Sequence, residues 1–277
     1  MNNLMQRTLS GVGFIAVMLA CLLLNRYLFA VLVIFMIVMM TLEFYRMSIG
    51  RRYPVAQFLG ILSGVVLFCL QFAISSFGVS SRLVALSIAF IFATMLSALF
   101  TKDREHVSDY AFIIFGIAYI AGPLSLSNQV AFSGGAFNAT LLLCFFILIW
   151  CSDIGAYVIG TAFGQKENSR KLAPAISPKK SWVGFWGGMA FCILAALLLR
   201  ASGLLDYPLL HCCILAVILH CGGVCGDLFE SLWKRHFGIK DSGNVIPGHG
   251  GMLDRFDSTL IAMPLGALYL SLTGFLA

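Results

Sequence analysis

Charge is what this chain has least of. Of its 277 residues only 11% are Asp, Glu, Lys or Arg, while 60% are apolar, and the mean hydropathy is +0.94. A soluble domain needs more polar surface than that to cover itself, so the composition excludes one. There is no internal repeat of roughly 20 to 50 residues, no heptad run and no low-complexity segment, which removes solenoids and coiled coils. The formal net charge of +6 is spread over several loops and makes no nucleic-acid patch. The nine cysteines, at 21, 69, 144, 151, 192, 212, 213, 221 and 225, fall almost wholly inside apolar stretches. No disulfide framework is expected, and they read as small buried apolar residues. Cys221 and Cys225, with His220 beside them, lack the further ligands and loop spacing of a zinc site.

What the chain does have is a series of apolar runs near twenty residues long. Such runs match the roughly 30 Å hydrocarbon core of a bilayer at 1.5 Å rise per residue. Nine are visible, at about 8–25, 27–45, 55–77, 81–100, 107–126, 137–163, 181–200, 207–226 and 257–276. The expected fold is therefore all-α, a polytopic integral membrane protein with about nine transmembrane helices. The first two runs, separated by Asn25 and Arg26, should form a tight helical hairpin. The first is long for a signal-peptide core and is read as a retained anchor. The expected organisation is an N-terminal group of about five helices over 1–126 and a C-terminal catalytic region over 127–277, with loops at 164–180 and 227–256.

Nine spans sort the basic residues by face. All but Arg26, Arg82 and Arg200 of the 18 Lys and Arg fall at the amino end or in the loops after the even-numbered spans. The positive-inside rule then places the amino terminus and these loops in the cytoplasm and the carboxyl terminus outside.

Of the 12 carboxylates, Asp227, Glu230, Asp241, Asp254 and Asp257 crowd into the stretch 227–257. The charged loop 101–106, "TKDREH", reads as a solvated connector. The later stretch does not, because Asp227 closes one apolar span and Asp254 and Asp257 open the last. A carboxylate at such a depth loses hydration and must find a cation or a proton. Past Asp227, Ser231 follows at i+4 and Lys234 at i+7, a column on one helix face. Glu230 reaches Lys234 at i+4, the spacing of a surface pair. Carboxylates converging from two helix ends suit a hard divalent ion such as Mg²⁺, which takes oxygen ligands, water and substrate phosphate. Lys234, Arg235, Lys240 and Arg255 can neutralise phosphate oxygens. In "GHGGMLDRFDS", residues 248–258, Gly248, Gly250 and Gly251 let backbone N–H groups approach an anion at a helix start.

A second cluster belongs to the same face. "WCSDIGAYVIGTAFG" carries Ser152 and Asp153 within a span, and an intramembrane acid is a functional candidate by default. In "KLAPAISPKKSWVGFWGG", Lys179 and Lys180, just before Ser181, sit where a helix should begin, placed to grip a phosphate.

The run "SLWKRHFGIKDSGNVIPGHGGMLDRFDS" at 231–258 closely resembles the signature of phosphatidate cytidylyltransferases, also called CDP-diacylglycerol synthases. The block "SDIGAYVIG…KLAPAISPKKSWVGFWGG" resembles that family's second recognisable stretch, so the likeness covers about 152–258. Trp233 stands where the family usually has a smaller apolar residue, and Val183 where it often has an acidic or amide one. The resemblance implies a reaction in which CTP and phosphatidate give CDP-diacylglycerol and pyrophosphate. It implies an all-helical membrane enzyme, a homodimer that needs Mg²⁺ and admits a monovalent cation such as K⁺. It further implies Asp227 and Asp254 as metal carboxylates with Asp257 close behind. Lys234, Arg235 and Arg255 would screen the attacking phosphate, and Ser181, Lys179, Lys180, Lys240, Asp241, His249, Gly250 and Gly251 would serve the nucleotide. A phosphate monoester with a second pKa of about 6 needs no strong base, which leaves His249 to orientation or phosphate contact. Two other readings compete. Intramembrane acids and cytoplasmic cations also mark an anion transporter, although these charges gather at one face and no inverted repeat is seen. Another metal-dependent membrane phosphotransferase would not consume CTP.

Overall fold

The computed structural model describes residues 3–166, 169–243 and 250–276, with the side chains of 3–10 excepted. The chain folds as two compact units, residues 1–137 with 239–255, and residues 138–238 with 256–277.

The first unit is built from α1 (Asn3–Leu24), α2 (Arg26–Ser48), α3 (Pro54–Phe77), α4 (Ala85–Leu96), α5 (Tyr110–Gly116) and α6 (Gly122–Ala131). The hairpin between α1 and α2 forms as expected, because Asn25 takes extended backbone and its side chain accepts from the Tyr27 and Leu28 amides, capping α2. Pro54 starts α3 at the position where a missing N–H costs nothing, and Gly78 ends it in the left-handed conformation. Short 3₁₀ turns extend α4 at both ends, and a π turn at Ile117–Ala121 joins α5 to α6. The core is aromatic. The Tyr45 ring is fully buried and lies between Gly60 of α3 and Gly116 of α5, where any Cβ would overlap it. Its hydroxyl donates to the Ile113 carbonyl at 2.8 Å.

The second unit holds α7 (Thr140–Phe163), β1 (Lys171–Ala173), β2 (Ser177–Ser181), α8 (Trp182–Ala201) and α9 (Leu209–His236), and most of α10 (Leu253–Leu272). The antiparallel hairpin of β1 and β2 was not expected from sequence, where 164–180 reads as a plain loop. It is tied down by Lys171, whose ammonium donates to the Gly164 carbonyl at 2.9 Å, and by Gln165, which donates to the Lys179 carbonyl at 2.8 Å.

Among the described residues seven helical segments are long and apolar enough to cross a membrane, from Arg26–Ser48 to Leu209–His236. The protein is thus an all-α integral membrane protein in its main lines. The first and last of the nine expected spans are helical, as α1 and α10, but are not among those seven. The segment Ser81–Phe100 has a mean hydropathy of 2.4 while only 11% of it is buried within the protein. Outward side chains such as Leu86, Ile88, Phe92 and Phe100 are what acyl chains solvate well and water does not. All nine cysteines are free, and Cys144, Cys192 and Cys212 are buried, whereas Cys69 and Cys225 are exposed.

Candidate active site

Small residues set how closely the helices of the second unit approach. On α9, Gly222 and Gly226 are one turn apart, and both face α10. A Cβ on Gly222 would lie 2.8 Å from Ala262 Cα, and one on Gly226 would run into the Asp257 carbonyl oxygen. Gly226 therefore presses the backbone beside Asp227 onto the backbone of Asp257. On α8, Gly184 and Gly188 do the same toward α7, where added Cβ atoms would meet the Ala156 and Ser152 carbonyls at 2.9 and 2.8 Å. This is the close packing that membrane helices achieve where apolar burial supplies no drive between them. Ser152 then shares a 2.7 Å hydrogen bond with His220 Nδ1 of α9, both side chains being buried. That bond fixes the rotation of α7 and so the direction of the neighbouring Asp153.

The acids brought together this way have few cations to match. Asp227 pairs with Lys180 of β2 at 2.5 Å and accepts from the Ser231 hydroxyl at 3.3 Å. The column expected on α9 is thus half formed, because Lys234 turns instead to Glu230, at 2.7 Å. That pair is no surface pair: the Glu230 and Lys234 side chains are 1% and 13% exposed. Glu230 also lies beside Asp257, which is buried and within electrostatic reach of Asp227 and Lys234. Asp153, on the exposed side of α7, feels the charges of Asp257, Asp227 and Lys180. Among the described residues, four carboxyl groups therefore interact with two lysines, and in a poorly hydrated setting excess negative charge is met by protons or a further cation. No group of three or more acid, His or Cys side chains closes into a cage among the described residues. Mg²⁺ seldom has such a cage, since one or two carboxylates, water and substrate phosphate commonly hold it. The donors present fit that ion.

In the first unit, the loop before α10 is organised by two other carboxylates. Asp254 accepts from the Ser242 amide at 3.0 Å and from the Gly251 amide at 2.9 Å. Gly250, at φ +84°, makes the turn that allows this. Glu43 of α2 accepts from the Met252 amide at 2.9 Å and the Leu253 amide at 2.8 Å. The Gly251 amide that the sequence offers to a phosphate is thus donated to the protein's own Asp254, and the next two amides to Glu43. Glu43 escaped the sequence reading, although an acid inside an apolar span was the available signal.

The remaining expected residues stand as follows. Ser181 is buried and caps α8, its hydroxyl accepting from the Gly184 amide at 3.1 Å. Lys179, Arg235, Lys240, Asp241 and Arg255 are exposed. His249 and Gly248 lie outside the described residues.

The profile of the cytidylyltransferase family matches residues 5–273. A phosphatidate cytidylyltransferase of Bacillus subtilis is 32% identical over 270 residues, which is 95% of this chain and 96% of that one. Proteins of the same name from Staphylococcus epidermidis and Staphylococcus aureus are 37% and 38% identical over 183 and 185 residues, in each case 66% of both chains. With a profile match over nearly its whole length and a relative 32% identical over 95% of it, the chain belongs to the cytidylyltransferase family.

Proposed function

We propose that this cytidylyltransferase joins the cytidylyl group of CTP to phosphatidate at the cytoplasmic membrane face, giving CDP-diacylglycerol and pyrophosphate. The observation that carries the reading is the clustering of carboxylates among the described residues of the second unit, where Asp153, Asp227, Glu230 and Asp257 gather around Lys180 and Lys234. Asp227 and Asp257 are the metal carboxylates in this reading; Asp254, which the resemblance names with them, belongs to the first unit. Bound Mg²⁺ supplies charge neutralisation on the triphosphate and on the departing pyrophosphate. Lys180 already sits on Asp227, so it is placed to hand its charge to a phosphate oxygen when a cation takes its place. Lys234 stays with Glu230 and keeps that buried carboxylate fixed beside Asp257. The exposed Arg235 and Lys179 of the second unit draw two anionic substrates toward its acids, which lowers the main barrier to their meeting.

The architecture supports a site at the boundary of lipid and water. One substrate keeps its acyl chains in the bilayer at about 0.8 kcal/mol per buried CH₂, and the other is a water-soluble nucleotide. The sorting of basic residues supports a cytoplasmic amino terminus and an outer carboxyl terminus. A homodimer and a stimulating monovalent cation such as K⁺ belong to the proposal on resemblance, and light scattering in detergent and assays with and without K⁺ test them.

The test is purified protein in mixed micelles with phosphatidate, Mg²⁺ and CTP labelled at the α-phosphorus. Label should appear in lipid with wild type and be lost with Asp227→Asn and Asp257→Asn. Wild type that leaves all label in nucleotide would overturn the reading.

A further inference from the structure

Glu43 is one of the most deeply buried acids among the described residues, 2% exposed, five residues before the end of α2. Its contacts with the described part of the loop before α10 are numerous for one side chain. Oε1 accepts from the Met252 amide, and Oε2 from the Leu253 amide and, at 3.3 Å, from the Ser242 hydroxyl. These partners lie about 200 positions away in sequence. The loop is cut to fit it. A Cβ on Gly243 would stand 2.5 Å from Oε1, and one on Gly251 2.6 Å from Oε2. Those two glycines are therefore required by the space that the carboxylate takes.

The chemistry explains why an acid is used. The first N–H groups of a helix have no partner inside it, and they carry its positive dipole end. At the start of α10, Met252 and Leu253 have Glu43 as their acceptor, supplied by a different helix. The same carboxylate, through Ser242, bears on the loop whose amide holds Asp254. Fixing Met252 and Leu253 fixes the phase of the first turn of α10, and with it the directions of Asp254 and Arg255.

We infer that Glu43 is a positioning residue for cytidylyl transfer: from α2 it holds Ser242, Met252 and Leu253 and thereby sets Asp254 and Arg255 for the reaction. This rests on the proposed function for the reaction itself, but the holding role can be measured without it.

The experiment compares wild type, Glu43→Gln and the milder Ser242→Ala as full-length proteins in detergent, with two readouts. The first is hydrogen exchange by mass spectrometry over peptides covering 250–256, with no nucleotide or metal present. The amide of Gln offers one acceptor oxygen in place of two, so exchange there should rise at least tenfold in Glu43→Gln and by a smaller factor in Ser242→Ala, while peptides from α7 and α8 stay unchanged. The second is kinetics per folded molecule. For Glu43→Gln, kcat should fall roughly tenfold to a hundredfold, the range that a small misplacement produces, with a higher Mg²⁺ concentration needed for half-activity and a smaller change in the KM for CTP. Unchanged exchange over 250–256 overturns the inference whatever the enzyme acts on. So does a loss of activity that only tracks the unfolded fraction, with kcat and the Mg²⁺ midpoint preserved. Should Glu43→Gln not fold, Ser242→Ala decides alone, and wild-type exchange and kcat in it refute the role. Inactive wild type with loosened 250–256 in the variants would instead strike the proposed function and leave the holding role standing.

Discussion

Replacing Gly226 by alanine puts one methyl group where α9 touches α10. The new Cβ would lie 3.0 Å from Ser258 Cα and 3.2 Å from the Asp257 carbonyl carbon, with the carbonyl oxygen nearer still. All three are backbone atoms, so no side chain can swing away, and α10 must withdraw by roughly 1 Å. Overpacking of this kind costs about 1–3 kcal/mol, against which alanine returns up to about 1 kcal/mol in helix propensity. The folded state should survive with a net loss of at most about 3 kcal/mol. Catalysis should suffer far more, because the displaced segment carries Asp257 and the moved contact adjoins Asp227. A 1 Å error in placement costs on the order of a hundredfold in rate. Gly223, one turn away on α9, supplies the control: its added Cβ would meet only Ser258 Cβ, at an ordinary 3.6 Å. Gly223→Ala should therefore keep both stability and activity. The assay is transfer of label from α-labelled CTP to lipid, normalised to folded protein by thermal melting in detergent. Equal kcat/KM for the Gly226→Ala and Gly223→Ala proteins would refute the claim that this contact sets the distance between the two acids.

Lys234→Ala deprives Glu230, 1% exposed, of its ammonium partner, so the melting temperature should drop by the equivalent of about 3–5 kcal/mol; Lys234→Ala with Glu230→Gln should recover much of it. Lys180→Ala breaks a pair whose members are 25% and 36% exposed, so its stability effect should stay under about 1 kcal/mol, while transfer activity falls at least tenfold; the melting curve and the label assay separate the two. Ser152→Ala removes the 2.7 Å partner of His220 in a buried position, which should cost about 1–3 kcal/mol in denaturant or thermal unfolding.

Much of the helical plan was readable because a bilayer imposes one length on every span. The runs at 55–77, 81–100 and 181–200 coincide within a residue with Pro54–Phe77, Ser81–Phe100 and Trp182–Ala201. Asn25 announced its hairpin by being the one polar cap between two apolar runs. The Asp227 to Ser231 contact followed from helical spacing alone. What stayed hidden depended on partners far apart in the chain. Lys234 had two candidate acids at helical spacing, and only burial decides for Glu230. Lys180 could be seen as a cation but not as the partner of Asp227. The glycines around 250 read as backbone that lets a phosphate approach, and in the fold they stand against the protein's own acids. Their anions turned out to be Asp254 and Glu43, the second of them 208 residues before Gly251 in the numbering. The hairpin at 171–181 was masked by its two prolines and its lysines, which read as loop residues.

The central claim is that Asp227 and Asp257 hold a divalent cation together with the nucleotide. Binding of Mn²⁺, as a paramagnetic stand-in for Mg²⁺, can be followed by electron paramagnetic resonance on the purified protein with CTP present. Wild type should bind Mn²⁺ more tightly than CTP alone does, and Asp227→Asn and Asp257→Asn should each weaken that binding at least tenfold; equal affinity in all three proteins would contradict the account.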